Sequence, residues 1–170
     1  YKKIFEYLEI PLLIHKEESF VRSQEIYVLK NILRCIQSFM DETYREENFR
    51  DALLSLLRSF LVEGKDGEIF KVLSGEPLAG LKSLFPEVFS ALCDLSTKAR
   101  KSTLSEILWE IYDCFGFYEK MIKIGNLEEV EEKLNFLLGK FRELDRLGFR
   151  LRDAIAYLEE IMDGSWDIEF

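Results

Sequence analysis

Gly75 and Gly80 have the spacing of the two glycines in a nucleotide-binding P-loop. In that pattern, G-x-x-x-x-G-K-[ST], backbone N–H groups surround the phosphates, the lysine reaches the outer phosphates, and the hydroxyl group holds magnesium. Here Leu81 occupies the lysine position, and Lys82 and Ser83 come one residue late. The apolar residues just before Gly75 also have helical rather than strand spacing. We therefore expect an inter-helical turn at this point and no ATP site.

Other residue types that catalyse reactions or bind metals form no recognisable pattern. His15 is the only histidine, and the sequence has no G-x-S-x-G motif. Cys35, Cys93 and Cys114 are odd in number and include no C-x-x-C pair, so neither a disulfide framework nor a zinc site is indicated. We predict no catalytic, cofactor or metal site. We expect His15 to make a local hydrogen bond and each cysteine to be a small buried side chain in a reducing cytoplasm.

The densest basic stretch is "STKARKS", residues 96–102, which we place in a polar linker between helices. Lys98, Arg100 and Lys101 are candidates for DNA phosphate contacts, which position a duplex without reading its bases. The alternative is an ordinary solvated loop. That alternative is favoured, because three charges supply only a modest electrostatic term on a chain whose net charge is −9.

Composition indicates one domain without a membrane segment. The chain has 170 residues, 48% of them apolar, which suffices for one core, and we predict a single helical domain over residues 1–170. No apolar run approaches the roughly 20 residues that cross a bilayer. The first residue is Tyr1 rather than Met, and no signal-peptide pattern follows. We expect a cytoplasmic piece of a longer protein.

Helical periodicity dominates and predicts an all-α fold of about eight helices. The first apolar stripe runs from Ile26 to Met40, and a second helix, including Phe60 and Leu61, should stop near Gly64. A short third helix should begin after Asp66, carry the apolar residues from 69 to 73, and end at Gly75 and Pro77. Further helices are predicted from residue 86 to 95, over residues 104–115, from residue 126 to Gly148, and over residues 149–164.

Local signals support several of these boundaries. Thr103 with Glu106 has the pattern of a capping box, and Asn126 with Glu129 has the same spacing. Within the long helix that follows, apolar residues repeat every seven positions, as in a helix that packs along another one. This heptad stripe consists of Val130, Leu134, Leu137, Phe141 and Leu144.

Two short segments have β-prone, apolar character instead. They are Pro11–His15 and Trp166–Phe170, near the two ends of the chain. A strand at each end, with helices between, is what remains when a helical insertion is cut from a domain that contains a sheet.

Several segments, taken in order, resemble the C-terminal half of UvrD-like superfamily 1 DNA helicases, particularly RecB/AddA-type helicase-nuclease subunits. The matching segments are residues 7–33, 52–73, 103–121 and 126–164. Ser23, Phe60 and Glu63 depart from the family's pattern. Matching positions include Phe20, Gln24, Glu25, Ile26, Arg58, Ser59, Leu61, Asp66, Glu68, Leu151, Arg152, Asp153, Tyr157 and Leu158.

The resemblance implies a 2B-type helical insertion domain, without activity of its own, in a helicase or exonuclease subunit of DNA repair and recombination. Such a domain is associated with duplex contact, motor regulation and docking of partner subunits. The resemblance further implies that ATP and magnesium bind elsewhere in the parent protein, and that DNA and a RecC- or AddB-like subunit are its partners. An independent all-helical protein-interaction module is the alternative, supported by the acidic composition and the heptad stripe.

Overall fold

The computed structural model describes residues 24–123 and 126–162, and within these ranges it contains nine α-helices and no strand. The all-α prediction is therefore confirmed. Both predicted strands, including His15, lie outside the described residues. The helices are α1 (Gln24–Asp41), α2 (Glu47–Arg58), α3 (Asp66–Ser74), α4 (Pro77–Leu84), α5 (Pro86–Ala99), α6 (Leu104–Phe115), α7 (Phe117–Ile122), α8 (Leu127–Arg146) and α9 (Leu151–Met162).

Helix α1 is the centre of the structure, with α2, α5 and α9 packed around it. An amphipathic surface helix buries one stripe, whereas a helix surrounded by others buries apolar residues on several sides. Helix α1 belongs to the second kind, because neighbouring positions such as Ile32, Leu33, Cys35 and Ile36 are all fully buried.

A second group of helices continues from this centre. Helix α6 packs against α5 and α8, α7 contacts α6 and α8, and α3 lies against α2 and α4. Buried apolar side chains from all nine helices form one core cluster. The five residues of the heptad stripe on α8 all belong to this cluster, as their spacing predicted.

Both predicted capping arrangements are present. The Thr103 hydroxyl accepts a hydrogen bond from the Glu106 N–H, and the Glu106 carboxylate accepts one from the Thr103 N–H at 2.9 Å. The Thr103 N–H and the Thr103 hydroxyl both donate to the Glu106 carboxylate, and these two bonds lower the pKa of Glu106. The Asn126 side-chain oxygen accepts a hydrogen bond from the Glu129 N–H at 2.8 Å. Each bond satisfies an N–H group that has no partner within its own helix.

The predicted end of the second helix is wrong. Helix α2 ends at Arg58, so Phe60 and Leu61 lie in the following loop rather than in the helix. The Ser59 hydroxyl donates to the Leu56 carbonyl at 2.6 Å, and the Gly64 N–H donates to the Leu57 carbonyl at 2.8 Å. Because this loop donates hydrogen bonds to the last carbonyls of the helix, the helix ends before the apolar pattern of the sequence ends.

The P-loop-like segment is a short turn followed by an additional helix. Residues 69–73 are helical, as predicted, and Gly75 caps α3. The inter-helical turn is shorter than predicted and a helix was missed, because Pro77 occupies the first turn of α4 and Gly80 lies inside that helix. Proline has no N–H to lose at a helix start, where that group would be unpaired anyway. The two glycines therefore do not enclose a phosphate-sized loop.

Gly80 allows α4 to approach α3 closely, and a substitution there should destabilise the protein. A Cβ atom at residue 80 would lie 2.9 Å from the Val72 Cα atom, whereas one at Gly139, inside α8, would meet no atom within 4 Å. Since alanine favours helices but overpacking costs energy, we expect Gly80→Ala to lower the free energy of unfolding by about 1–2 kcal/mol. Gly139→Ala should raise it by about 0.5–1 kcal/mol.

Urea unfolding followed by circular dichroism measures both changes, and each variant serves as the control for the other. If both alanines stabilise the protein equally, the close approach of α3 and α4 does not constrain the fold.

The cysteine prediction is correct only for Cys35, which is fully buried and whose pKa is raised by that burial. Cys93 is half-buried and Cys114 is exposed, because both lie away from the buried stripes of α5 and α6. Across the described ranges, no group of three or more His, Cys, Asp or Glu side chains is arranged to hold a metal ion. None of the described helices is long and apolar enough to span a membrane.

Candidate nucleic-acid interface

Two inter-helical connections lie side by side and enclose a cleft of about 820 Å³. One joins α5 to α6 and the other joins α8 to α9, while the C-terminal part of α1 forms the remaining wall. The charged residues that line the cleft are four cations and two carboxylates, on a chain whose net charge is −9. They are Arg100, Lys101, Arg150, Arg152, Asp145 and Asp153.

Asp145 links the two connections by hydrogen bonds between the end of α8 and the start of α6. It lies near the end of α8, and its carboxylate accepts hydrogen bonds from the first two N–H groups of α6. These bonds run from the Leu104 N–H at 2.7 Å and from the Ser105 N–H at 3.1 Å, and the Ser105 hydroxyl adds a third at 2.5 Å. A carboxylate at a helix N-terminus is stabilised by both the free N–H groups and the helix dipole. The N-terminus of α6 is therefore already occupied by this chain's own carboxylate.

The turn after α8 is closed by a glycine. Gly148 has a φ of 78°, a left-handed conformation that side chains disfavour. Its N–H donates to the Asp145 carbonyl at 3.0 Å, and the Phe149 N–H donates to the Leu144 carbonyl at 3.0 Å. This pair of bonds is a Schellman motif, which ends a helix and turns the chain sharply. The turn presents Phe149, 39% exposed, at the edge of the cleft.

The three basic residues singled out from the sequence have different surroundings. Lys98 lies in the last turn of α5 rather than in a linker, because the helix extends to Ala99. It forms ion pairs with Asp94 at 3.2 Å and Glu110 at 3.0 Å, and it does not line the cleft. The hydrogen bond to Glu110, followed by that to Asp94, raises the pKa of Lys98.

Arg100 and Lys101 line the cleft and are exposed. The Arg100 guanidinium donates to the Met40 carbonyl at 3.0 Å, which anchors the side chain and leaves most of its five N–H donors available. The Lys101 N–H donates to the Lys98 carbonyl, and this bond closes the turn after α5.

Arg150 and Arg152 complete the cleft, and no local signal in the sequence indicates their participation. They lie about 50 residues beyond Arg100, so only the packing of α9 against α1 brings them to the same place. Arg152 donates to Asp41 at 3.2 Å, while its side chain stays 75% exposed. The pKa of Asp41 is lowered, first by its hydrogen bond from Gln37 and then by Arg152. The four cations of the lining outnumber its two carboxylates, and a concave surface concentrates the electric field of the excess charge, so this cleft favours anions.

Comparison with known proteins identifies a relative for nearly the whole chain. Over 171 aligned positions, 22% of residues are identical to a protein of Bacillus cereus, and the match covers 94% of this chain. The chain resembles an ATP-dependent helicase/nuclease subunit of the AddA type. The corresponding proteins of Bacillus thuringiensis and Bacillus anthracis match with the same identity and the same coverage.

The match covers only 14% of each AddA-type protein, so this chain spans about one seventh of the length of these relatives. No protein-family model matches the chain, and no solved structure does. The similarity supports a relationship with helicase/nuclease subunits of the AddA type, as the sequence resemblance implied. The helicase and nuclease activities in the name of these relatives belong to proteins about seven times as long as the aligned segment.

Proposed function

We propose that this chain is a non-catalytic accessory domain of an ATP-dependent DNA helicase or helicase-nuclease, equivalent to a 2B-type insertion. The observation that carries the proposal is the extent of the match: nearly all of this chain aligns with a domain-sized seventh of the AddA-type relatives. The parent protein would bind ATP and magnesium through its other domains and act in the cytoplasm in DNA repair and recombination. A RecC- or AddB-like subunit would be its partner.

The arrangement of the first and last described helices supports an insertion. Arg34 of α1 contacts Glu159 of α9, and Asp41 of α1 contacts Arg152. Since residue numbers rise along one helix as they fall along the other, the two helices are antiparallel neighbours. The start of α1 and the end of α9 therefore point to the same end of the bundle. A domain inserted into a host must leave and re-enter it at one place, and this arrangement permits that.

In this proposal the basic cleft contacts the phosphate backbone of duplex DNA. Arginine and lysine side chains bind phosphates independently of sequence, which suits a domain that positions a duplex for a motor. The acidic remainder of the chain opposes such binding, so the affinity of the isolated chain should be low and strongly salt-dependent. Lys98 contributes less, because two carboxylates already neutralise it.

A charge-reversal experiment tests this role. Changing Arg100 and Lys101 together to glutamate should weaken binding to a fluorescent duplex of about 20 base pairs by about tenfold at low salt. It should also reduce the slope of log affinity against log salt concentration by about two, one for each lost phosphate contact. Fluorescence anisotropy at several salt concentrations measures both effects.

The matched control changes Lys65 and Lys71 to glutamate. Both are exposed on or next to α3, outside the cleft, and the double variant alters net charge by the same amount. Equal weakening by the two double variants would show that net charge, not the cleft, governs binding.

ATP hydrolysis by the chain alone, with or without single-stranded DNA, would contradict the proposal that it is non-catalytic.

A further inference from the structure

A second groove, different in character from the basic cleft, lies between α6 and α8, and α7 contributes Tyr118 and Glu119 to its lining. It has a volume of about 530 Å³, and among the described residues that line it are three carboxylates and no lysine or arginine. These carboxylates are Asp113, Glu119 and Glu131. The rest of its lining is mostly aromatic and aliphatic, and consists of Trp109, Tyr112, Gly116, Tyr118, Leu134, Asn135 and Leu138.

The floor of the groove is preorganised. Tyr112, Leu134 and Leu138 are each less than a tenth exposed, and they belong to the core cluster. The Tyr112 hydroxyl donates to the Leu134 carbonyl at 3.2 Å, and this buried bond links α6 to α8. A ligand would therefore meet an existing apolar surface and would not need to open one.

Two exposed aromatic residues line the groove above this apolar floor. Trp109 is 61% exposed and Tyr118 is 38% exposed. The Tyr118 hydroxyl donates to Glu131 at 3.0 Å, so the ring and the carboxylate hold each other in place. Tryptophan and tyrosine are the side chains most enriched among residues that dominate binding energy at protein interfaces. Because Trp109 and Tyr118 line the same groove as the apolar floor, they extend that floor into a larger apolar surface of the kind that binds a partner.

The charges identify the class of partner. Three carboxylates on the rim repel the phosphates of a nucleic acid, whereas they attract lysine and arginine. Trp109 and Tyr118 also offer ring faces for cation–π contacts. Asp113 and Glu119 form no ion pair with any other described residue and thus remain available to a ligand. A groove between two helices receives the apolar face of a third helix.

We infer that the α6–α8 groove binds a cationic amphipathic helix of a partner protein, with Trp109 as the anchoring side chain. The apolar face of that helix lies on Tyr112, Leu134 and Leu138, and its lysine or arginine residues meet the acidic rim. This inference does not depend on the proposed function, since it concerns a different surface and a partner of opposite charge.

The probe for this site is a synthetic helical peptide of about 18 residues, composed of leucine, lysine and alanine, with leucine at every third or fourth position. Isothermal titration calorimetry should detect its binding to the 170-residue chain. A peptide of the same composition with scrambled leucines, and one with glutamate in place of lysine, should each bind at least about tenfold more weakly. Equal binding of any of these control peptides overturns the inference.

Two variants locate the site. Trp109→Ala should weaken binding of the lysine peptide by about tenfold or more, while Phe70→Ala, which removes a 71% exposed ring from α3, should leave it unchanged. Asp113→Asn with Glu119→Gln should also weaken binding and should flatten its salt dependence. Because all four substituted residues are exposed, circular dichroism should show folded protein in each case. Unchanged affinity in both groove variants overturns the inference.

Fluorescence separates a protein ligand from DNA at this groove. In a Trp166→Phe background Trp109 is the only tryptophan, so its emission reports on the groove alone. The lysine peptide should shift that emission to shorter wavelength, and duplex DNA should not shift it. A shift caused by DNA rather than by the peptide would reassign the groove to nucleic acid and overturn the inference.

Discussion

Replacing Phe141 with alanine is expected to lower the free energy of unfolding by about 3–5 kcal/mol, the largest single-residue effect that we predict. Phe141 lies in the heptad stripe of α8 and is fully buried. It belongs to the core cluster that all nine described helices share, so removal of the ring leaves a cavity in that core. The loss combines the transfer of the ring from water with the missing contacts around the cavity.

Urea unfolding measures this loss as a lower midpoint with an unchanged slope. Two controls define its origin. Phe141→Leu keeps most of the volume and should cost less than about 1.5 kcal/mol. Phe70→Ala removes the same ring from a 71% exposed position and should change stability by less than about 0.5 kcal/mol. A similar loss for Phe70→Ala and Phe141→Ala would show that burial does not explain the effect.

The burial of Phe141 was predictable because helical periodicity is a local signal. The number of positions between two apolar residues determines whether they lie on the same face of a helix, and that number can be read directly from the sequence. The same holds for the capping box of Thr103 and Glu106, which needs only two residues three positions apart. For the buried stripe of α8 and the capping box, the sequence therefore predicted both the kind of structure and the residues that form it.

Helix ends were less predictable where the loop, rather than the helix, decides them. The apolar pattern continues past Arg58, yet hydrogen bonds from Ser59 and Gly64 end α2 there. Helix α4 was missed for a related reason. Its eight residues include Gly80, which disfavours helices, and the helix depends on close packing against α3 rather than on its own preference.

The candidate interface was only half visible in the sequence. Arg100 and Lys101 are neighbours in a basic stretch, so composition drew attention to them. Arg150 and Arg152 lie in a segment of mixed charge, and nothing local distinguishes them from other surface arginines. The contact from Asp145 to α6 spans about 40 residues, so it depends on tertiary packing that periodicity does not encode. The similarity to the AddA-type proteins supports a relationship with helicase/nuclease subunits, which the geometry alone does not indicate.

Asp145→Ala is expected to lower the free energy of unfolding by about 2–3 kcal/mol, although the residue is small and only partly buried. The substitution removes the acceptor for three hydrogen bonds from Leu104 and Ser105. It leaves the first two N–H groups of α6 without their partner and removes a favourable charge from the positive end of the helix dipole. Water can replace part of these hydrogen bonds, because Asp145 is only partly buried, and that limits the effect.

Two further variants test whether Asp145 links α8 to α6 or only caps the start of one helix. Urea unfolding measures the stability of all three variants. Asp145→Asn keeps one acceptor oxygen without the charge, so it should cost about half as much as alanine. Asp153 accepts a hydrogen bond from the Arg150 N–H at 2.8 Å within its own helix start, and Asp153→Ala should cost about 1 kcal/mol. If Asp145→Ala costs no more than Asp153→Ala, Asp145 acts only locally. A larger cost would show that this carboxylate holds α6 against α8, and with them the two connections that form the basic cleft.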